Sequence, residues 1–338
     1  MCVDESRREE FIQAVNKAYA EEMKKINDQL DKELLIALVG EVNAGKSTTI
    51  NQILGKNVAR TNPRPGETVS IDPYNHEGLE KIKFMDTPGL NDPNDENPKK
   101  TLEFIKKADI ILFFTNAAGT VFSESEKERF QEIEQHNQNI LIVLNKIDAA
   151  EDIDGLVQFI KSYTENKYDV IPISSKTGEN IDELKNQILD LLKKRGKDLL
   201  FAKSMSDKSA AANRWIVAAG VSAGAIGAVP IPGSDVVPLT ALQVGLLLKL
   251  SALYGKQLSL KDAKDLIIIT AAKTVGQTLY RQVVKFIPGA GSAAGGVIAS
   301  SLTLALGYGV KHAYENDIDI NFDKITALFH QFRKRKKR

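Results

Sequence analysis

The segment Gly40-Glu41-Val42-Asn43-Ala44-Gly45-Lys46-Ser47 is where the chain first shows residues spaced to do chemistry. It fits G-x-x-x-x-G-K-[ST] and sits between an apolar run, Leu34–Val39, and a helix-like stretch over 46–55. Glycines let the backbone curl so that successive N–H groups face a phosphate. The N-terminus of the following helix, at Ser47 and Thr48, adds a field that favours anions. At this spacing Lys46 reaches β- and γ-phosphates, and the Ser47 hydroxyl can bind Mg²⁺.

Three shorter motifs follow in order. Asp86-Thr87-Pro88-Gly89 closes an apolar run ending at Met85. Asp86 can hold Mg²⁺ through water, and Gly89 can offer its N–H to a γ-phosphate, although an isolated Asp-Thr-Pro-Gly is an ordinary turn. Asn145-Lys146-Ile147-Asp148 follows the run Ile140–Leu144. The Asp148 carboxylate can accept from the N1–H and exocyclic amine of guanine, whereas adenine presents an acceptor at the first position and lacks the second group. Ser174-Ser175-Lys176 follows Val170–Ile173, and its backbone N–H groups can meet the guanine O6.

Strands and helices must hold these motifs in place. Strand candidates are Leu34–Val39, Val69–Tyr74, Ile82–Met85, Ile110–Phe114, Ile140–Leu144 and Val170–Ile173. They alternate with helical patterns near 46–55, 98–107, 123–137, 151–165 and 179–194, which predicts an α/β unit with a mostly parallel sheet covered by helices on both faces. Ahead of it, Phe11, Ile12, Val15, Tyr19, Met23, Ile26 and Leu30 recur at helical spacing, so residues 1–32 read as an amphipathic helix. It packs one face on the protein or serves as a partner-binding helix.

The four motifs together resemble the P-loop GTPases, and within them the Era-like group of the translation-factor class, over roughly residues 33–195. The resemblance implies a six-stranded sheet with one antiparallel edge strand, and GTP or GDP with Mg²⁺ as ligands. It implies nucleotide contacts from Gly40, Glu41, Val42, Asn43, Ala44, Gly45, Lys46, Ser47, Thr48, Asn145, Lys146, Asp148, Ser174, Ser175 and Lys176. The first switch falls within Ala59–Thr68, a Pro- and Gly-containing loop. Its metal-closing threonine is assigned to Thr68, with Thr61 second, so the metal set is Ser47, Thr68 and Asp86. Leu90 stands where Ras-like members carry a water-orienting glutamine, so turnover is expected to be slow and water positioning independent of glutamine. Asn43 occupies the place where potassium-stimulated relatives contact K⁺, a cation that would offset developing charge. Lys46, Thr68, Gly89 and Asn43 form the expected catalytic set, and self-association through this domain is a further expectation.

Past residue 197 the strand pattern ends, and residues 197–338 read as an all-helical domain of hairpins. Residues 215–234 and 286–310 contain no charge. These runs have the length of a membrane span, yet 286–310 is dominated by Gly, Ala and Ser, and Pro-Gly breaks interrupt both. A tightly packed bundle and membrane-inserting or peripheral hairpins both remain open. Gly291 and Gly295 form a small-xxx-small pair that serves either. Val229-Pro230-Ile231-Pro232-Gly233-Ser234-Asp235 and the second Ile-Pro-Gly at 287–289 resemble the YcjF-like domain of unknown function, found fused to Era-like GTPases and linked to membranes in some relatives.

The formal charge of +1 over 338 residues hides a split. Residues 1–196 carry 26 Lys/Arg against 35 Asp/Glu, or −9, and residues 197–338 carry 19 against 9, or +10. A large anionic partner belongs on the helical side, where Arg333–Arg338 would suit an anionic membrane; RNA or the ribosome is the other candidate. Gly224-Ala225-Ile226-Gly227 lacks the basic neighbours of a KH clamp. The composition, 43% hydrophobic and 26% charged, excludes disordered and fibrous classes. Cys2 is the only cysteine, so no intramolecular disulfide forms and a reducing compartment fits. The first ten residues do not read as a signal peptide, and a cytoplasmic location, peripheral to or inserted in the inner membrane, is expected. His76, His136, His312 and His330 lack ligand spacing. The reading is a GTP-hydrolysing switch whose state the helical domain reads out. A membrane-acting, dynamin-like assembly protein and a ribosome-associated factor are the alternatives.

Overall fold

The computed structural model describes residues 2–55, 81–87, 98–229, 236–275 and 293–318. They fall into two compact units, one of Gln29–Asp207 and one of Met1–Asp28 with Lys208–Arg338.

The first unit is a parallel-sheet P-loop GTPase fold. Strands β1 (Leu34–Val39), β2 (Ile82–Thr87), β3 (Ile110–Asn116), β4 (Ile140–Asn145) and β5 (Val170–Pro172) lie in the order β2-β1-β3-β4-β5. Every pairing is parallel. The described sheet thus has five strands, not the expected six. The candidate Val69–Tyr74 and its antiparallel edge pairing lie outside the described residues, as do Thr61, Thr68, Gly89 and Leu90. Strands β1, β3 and β4 are almost continuous runs of Ile, Leu, Val and Phe because both faces are covered. The covering helices are α2 (Lys46–Leu54), α3 (Pro98–Lys107), α4 (Glu124–His136), α5 (Ile153–Tyr163) and α6 (Ile181–Lys193).

One face is closed by aromatic rings. Phe113 meets Phe130 edge-on with centroids 5.3 Å apart, and Phe122 lies 5.5 Å from Phe130. All three are fully buried, each worth about 1.5–3 kcal/mol in removed apolar surface. Helix α4 starts at a capping box: the Glu126 N–H donates to Ser123 Oγ, and the Ser123 N–H donates to Glu126 Oε2 at 3.0 Å.

At the N-terminal ends of the strands, buried Asp109 accepts from the Leu35 N–H at 2.9 Å. Lys197 Nζ donates to both Asp109 oxygens, at 2.7 and 2.6 Å. The chain leaving α6 turns at Gly196, whose φ is 61°, and is thereby pinned under the sheet before α7 (Asp198–Ser204).

The second unit is helical. It contains residues 2–28 of α1 (Cys2–Leu30), with α8 (Ser209–Gly227), α9 (Val236–Leu253), α10 (Leu260–Val275) and α11 (Ala293–Glu315). Ala14, Val15 and Ala18 of α1 are buried, and Tyr19 donates its hydroxyl hydrogen to the Leu258 carbonyl at 2.7 Å. Helices α8 and α11 pack at backbone distance. A Cβ on Gly296 would lie 2.7 Å from the Gly224 carbonyl oxygen, and one on Gly227 would lie 2.9 Å from that of Gly295. Buried Gln243 of α9 donates to Thr303 at 3.1 Å, and Ser251 pairs with Tyr314 at 2.6 Å. No helix among the described residues is long and apolar enough to cross a membrane. The Pro-Gly turns at 232–233 and 288–289 lie outside the described residues.

The backbone approach of α8 and α11 leaves no room for a side chain. Gly296→Val is expected to lower the stability of the helical unit by about 1–3 kcal/mol, measured by urea unfolding followed through Trp215 fluorescence. The exposed control Ser301→Ala is expected to leave it unchanged.

Candidate functional site

Chain order alternates about β1, which pairs with β2 on one side and β3 on the other. Such a reversal opens a crevice at the carboxyl ends of the strands, where ligands bind in open α/β sheets. The loop Gly40–Gly45 leaves β1 at this place. Its curl comes from three residues of positive φ: Gly40 at 147°, Asn43 at 65° and Gly45 at 91°. Gly40 has a second constraint, because a Cβ there would lie 2.6 Å from the Phe114 carbonyl oxygen of β3. A Cβ on Gly45 would collide with the Asn145 side-chain nitrogen. Both ends of the loop therefore need glycine for space as well as for conformation.

Lys46 opens α2 and is 9% exposed. Its Nζ donates to the Gly40 carbonyl at 2.7 Å and the Glu41 carbonyl at 3.0 Å, folding back along the loop it follows. Ser47 is buried beside it in the first turn, and Thr49 donates to the Gly45 carbonyl at 2.9 Å. In the register of β1 with β2, Leu38 stands opposite Asp86 and Val39 opposite Thr87. The Asp86-Thr87 segment thus reaches the same end of the sheet as the phosphate-type loop.

Asn145, fully buried, joins three motifs. Its Nδ2 donates to the Ala44 carbonyl at 2.7 Å and lies 3.1 Å from Ser175 Oγ, while its Oδ1 accepts from the Ser175 N–H at 3.0 Å. Asp148 is oriented by Ser174, whose hydroxyl donates to Oδ1 at 2.7 Å; Lys176 Nζ stands 3.8 Å from Oδ2. The Ser174 bond, then the lysine charge, holds the Asp148 carboxyl below its ordinary range, so it is ionised near neutrality. Lys146 takes a left-handed backbone at φ 66°, turning the chain from β4 into the short helix Ile147–Ala149 that presents Asp148.

Among the expected site residues, Gly40 through Thr48, Asn145, Lys146, Asp148, Ser174, Ser175 and Lys176 all lie at this end of the sheet. Thr68 and Gly89 lie outside the described residues, and of Asp86 only the backbone is described. Two contributors escaped the sequence reading. Phe114 forms the floor under Gly40, and Gln52 Nε2 donates to the Ser175 carbonyl at 3.3 Å. Gln52 stands 123 residues from its partner, on a helix face that periodicity marks only as polar. Glu126 also abuts the site, accepting from Thr115 Oγ1 at 3.1 Å. Burial is the main cause that raises its carboxyl above 4.5; the Ser123 and Thr115 bonds oppose it and the Glu41 charge adds to it.

Comparison with known proteins gives the same domain. Residues 35–146 match the family model described as 50S ribosome-binding GTPase. The chain is 33% identical over 176 residues to GTPase Era of Aquifex aeolicus, covering 46% of this chain and 56% of that one. It is 34% identical over 166 residues to GTPase Der of Chlorobium chlorochromatii, covering 47% and 36%. A solved structure of Aquifex aeolicus Era bound to GDP·AlF4⁻ aligns with a TM-score of 0.38 at 29% identity, over 47% of this chain and 57% of that one. The chain spans about half the length of the Era relatives it matches. The matched part is similar to the P-loop GTPase domain of Era.

Asn145→Ala removes the shared anchor and leaves the Ser175 N–H unpaired. It is expected to cost about 2–3 kcal/mol in urea unfolding and to weaken binding of a fluorescent GTP analogue by about tenfold or more. Glu126 generates a pH effect. With its folded value raised, its contribution is fully present below the unfolded value near 4.5 and is lost as pH rises through the folded value. Unfolding free energy should fall over that window in the parent, and the fall should be smaller in Glu126→Gln, read by urea titrations from acid to neutral pH.

Proposed function

We propose that the protein binds GTP and hydrolyses it to GDP and phosphate, and that residues 197–338 read out the nucleotide state. The observation that carries this reading is the Asn145 carboxamide, which holds the Ala44 carbonyl and Ser175 together while Ser174 orients Asp148. A loop curled to bind phosphates is thereby fixed beside a carboxylate oriented to accept from guanine. The Asp148 oxygens accept from the base, and the backbone after Ser175, whose own N–H is taken by Asn145 Oδ1, meets the base oxygen. The amides of Asn43–Lys46 and the Lys46 ammonium stabilise the phosphates.

Ser47, Asp86 and Thr68 supply the oxygen donors that a Mg²⁺ ion would take. Ser47 is buried in the first turn of α2, and Asp86 stands beside β1 at the sheet's carboxyl end, with Thr68 assigned as the switch residue. Bound Mg²⁺ would neutralise charge on the β- and γ-phosphate oxygens. Thr68 and Gly89 order the two switch loops around the γ-phosphate, and hydrolysis releases them. Leu90 has no group to orient water, so intrinsic turnover is slow and faster in K⁺ than in Na⁺, through Asn43. The helical half, similar to the YcjF-like domain in its Ile-Pro-Gly segments, carries the readout.

A ribosome-associated role is the second reading, favoured by the description of the matched family as ribosome-binding. Salt-sensitive co-sedimentation with ribosomes in the GTP state tests it.

Lys46→Ala is expected to abolish GTP turnover measured by phosphate release, and an active variant would show the site to be wrongly placed. Asp148→Asn exchanges an acceptor for a donor. It should weaken GTP binding on the order of 100-fold or more while improving binding of xanthosine triphosphate, whose base offers an acceptor at that position.

A further inference from the structure

In the loop after β5, the backbone donors are paired one after another. The Ser174 N–H donates to the Glu179 carbonyl at 3.1 Å, and the Ser175 N–H to Asn145 Oδ1 at 3.0 Å. The Thr177 N–H donates to Ser174 Oγ at 3.1 Å, and the Gly178 N–H to the Ser174 carbonyl at 2.9 Å. Among the described residues, the Lys176 N–H meets no acceptor. Backbone donors in folded chains pair with protein, water or ligand, so this amide is open to a ligand. It follows Ser175 directly, on the stretch set against the base oxygen.

Two side chains fix the residue ahead of that amide. Asn145 takes the Ser175 N–H, and Gln52 Nε2 donates to the Ser175 carbonyl at 3.3 Å. Both backbone polar groups of buried Ser175 are thus held. The Ser175–Lys176 bond is trans, so the carbonyl and the Lys176 N–H lie in one plane and point to opposite sides. Drawing the carbonyl toward Gln52 therefore turns the amide away from α2. Gln52 stands six residues after Lys46 on α2, about 9 Å along the axis. One helix so carries Lys46 and Ser47 at its start and, farther along, the group that sets the base-side peptide.

We infer that Gln52 is a positioning residue for base recognition: by fixing the Ser175–Lys176 peptide it aims the Lys176 N–H at the oxygen on C6 of guanine. The inference rests on the GTP-binding reading above. A donor at that place meets an acceptor on guanine or hypoxanthine, but a second donor, the exocyclic amine, on adenine. Asp148 reads the N1–H and the 2-amine, so the two contacts discriminate separately. Gln52 is exposed and its bond is between neutral groups, so losing it loosens the peptide without emptying the site.

The test measures dissociation constants of GDP, IDP and 6-thio-GDP for the full chain, by displacement of a fluorescent GDP analogue. Sulfur is a weaker acceptor than oxygen, so 6-thio-GDP reports the contact at position 6. IDP keeps that oxygen and lacks the amine read by Asp148. The parent should bind GDP more tightly than 6-thio-GDP. Gln52→Met, similar in length and without a donor, should weaken GDP and IDP alike by about three- to tenfold and 6-thio-GDP by less than about twofold. Its urea midpoint should match the parent's. Gln52→Lys returns a donor and should restore the preference for GDP over 6-thio-GDP, a ratio in which the effect of the added charge on the phosphates cancels. An equal loss for all three nucleotides in Gln52→Met would overturn the inference and assign Gln52 to the packing of the loop. No loss for any of them would overturn it too, with the GTP-binding reading intact. A parent that binds none of the three would overturn that reading and the inference together.

Discussion

The site depends on one buried carboxamide. Asn145 sits at the end of β4, yet its bonds go to the loop after β1 and the loop after β5. Each of those loops is short and rich in Gly or Ser, and neither has apolar weight enough to fix itself. The side chain satisfies a carbonyl of one and an amide of the other in a place with no water access, where leaving either unpaired costs about 1–3 kcal/mol. The Gly40–Gly45 loop and the segment carrying Ser174 and Ser175 are thereby set at a fixed separation. Substitution of Gly45 is blocked by the same group, since any Cβ would meet the Asn145 nitrogen.

The sheet supplies the frame on which that bond can form. Strands β1, β3 and β4 are adjacent and parallel, so their following loops emerge together at one end. The reversal of strand order at β1 opens the crevice, and Phe114 of β3 supports Gly40 from below. The opposite end is held by a charged group rather than by loops. Asp109 joins the Leu35 N–H at the start of β1 to Lys197, beyond α6. One buried carboxylate thus ties the strand that feeds the phosphate-type loop to the segment that leaves the sheet.

In the helical unit, small residues serve close packing. Gly224, Gly227, Gly295 and Gly296 bring α8 and α11 to backbone contact, so the low side-chain volume of these helices is used at their shared seam. The valines beside the seam stay exposed. A run without charge therefore has two destinations on one helix, a buried stripe and an open one, and composition reports only their sum.

The sequence by itself determined the elements and the motif positions. The helix expected over 98–107 forms as Pro98–Lys107, and the strand Leu34–Val39 forms as written, because apolar period and glycine placement are local properties. The same locality made Gly40, Gly45, Lys46 and Asp148 legible, since each belongs to a motif of a few consecutive residues. The tertiary structure alone decided that Asn145 is the shared anchor, that Phe114 and Gln52 complete the site, and that Asp109 and Lys197 lock the far end of the sheet. Those pairs lie 30 to 123 residues apart in the chain, with one half often a backbone atom. A backbone carbonyl carries no sequence signature, so only folding reveals which side chain it meets. For the charge-free helices, likewise, which face closes against a neighbour is fixed by the partner helix and not by the run itself.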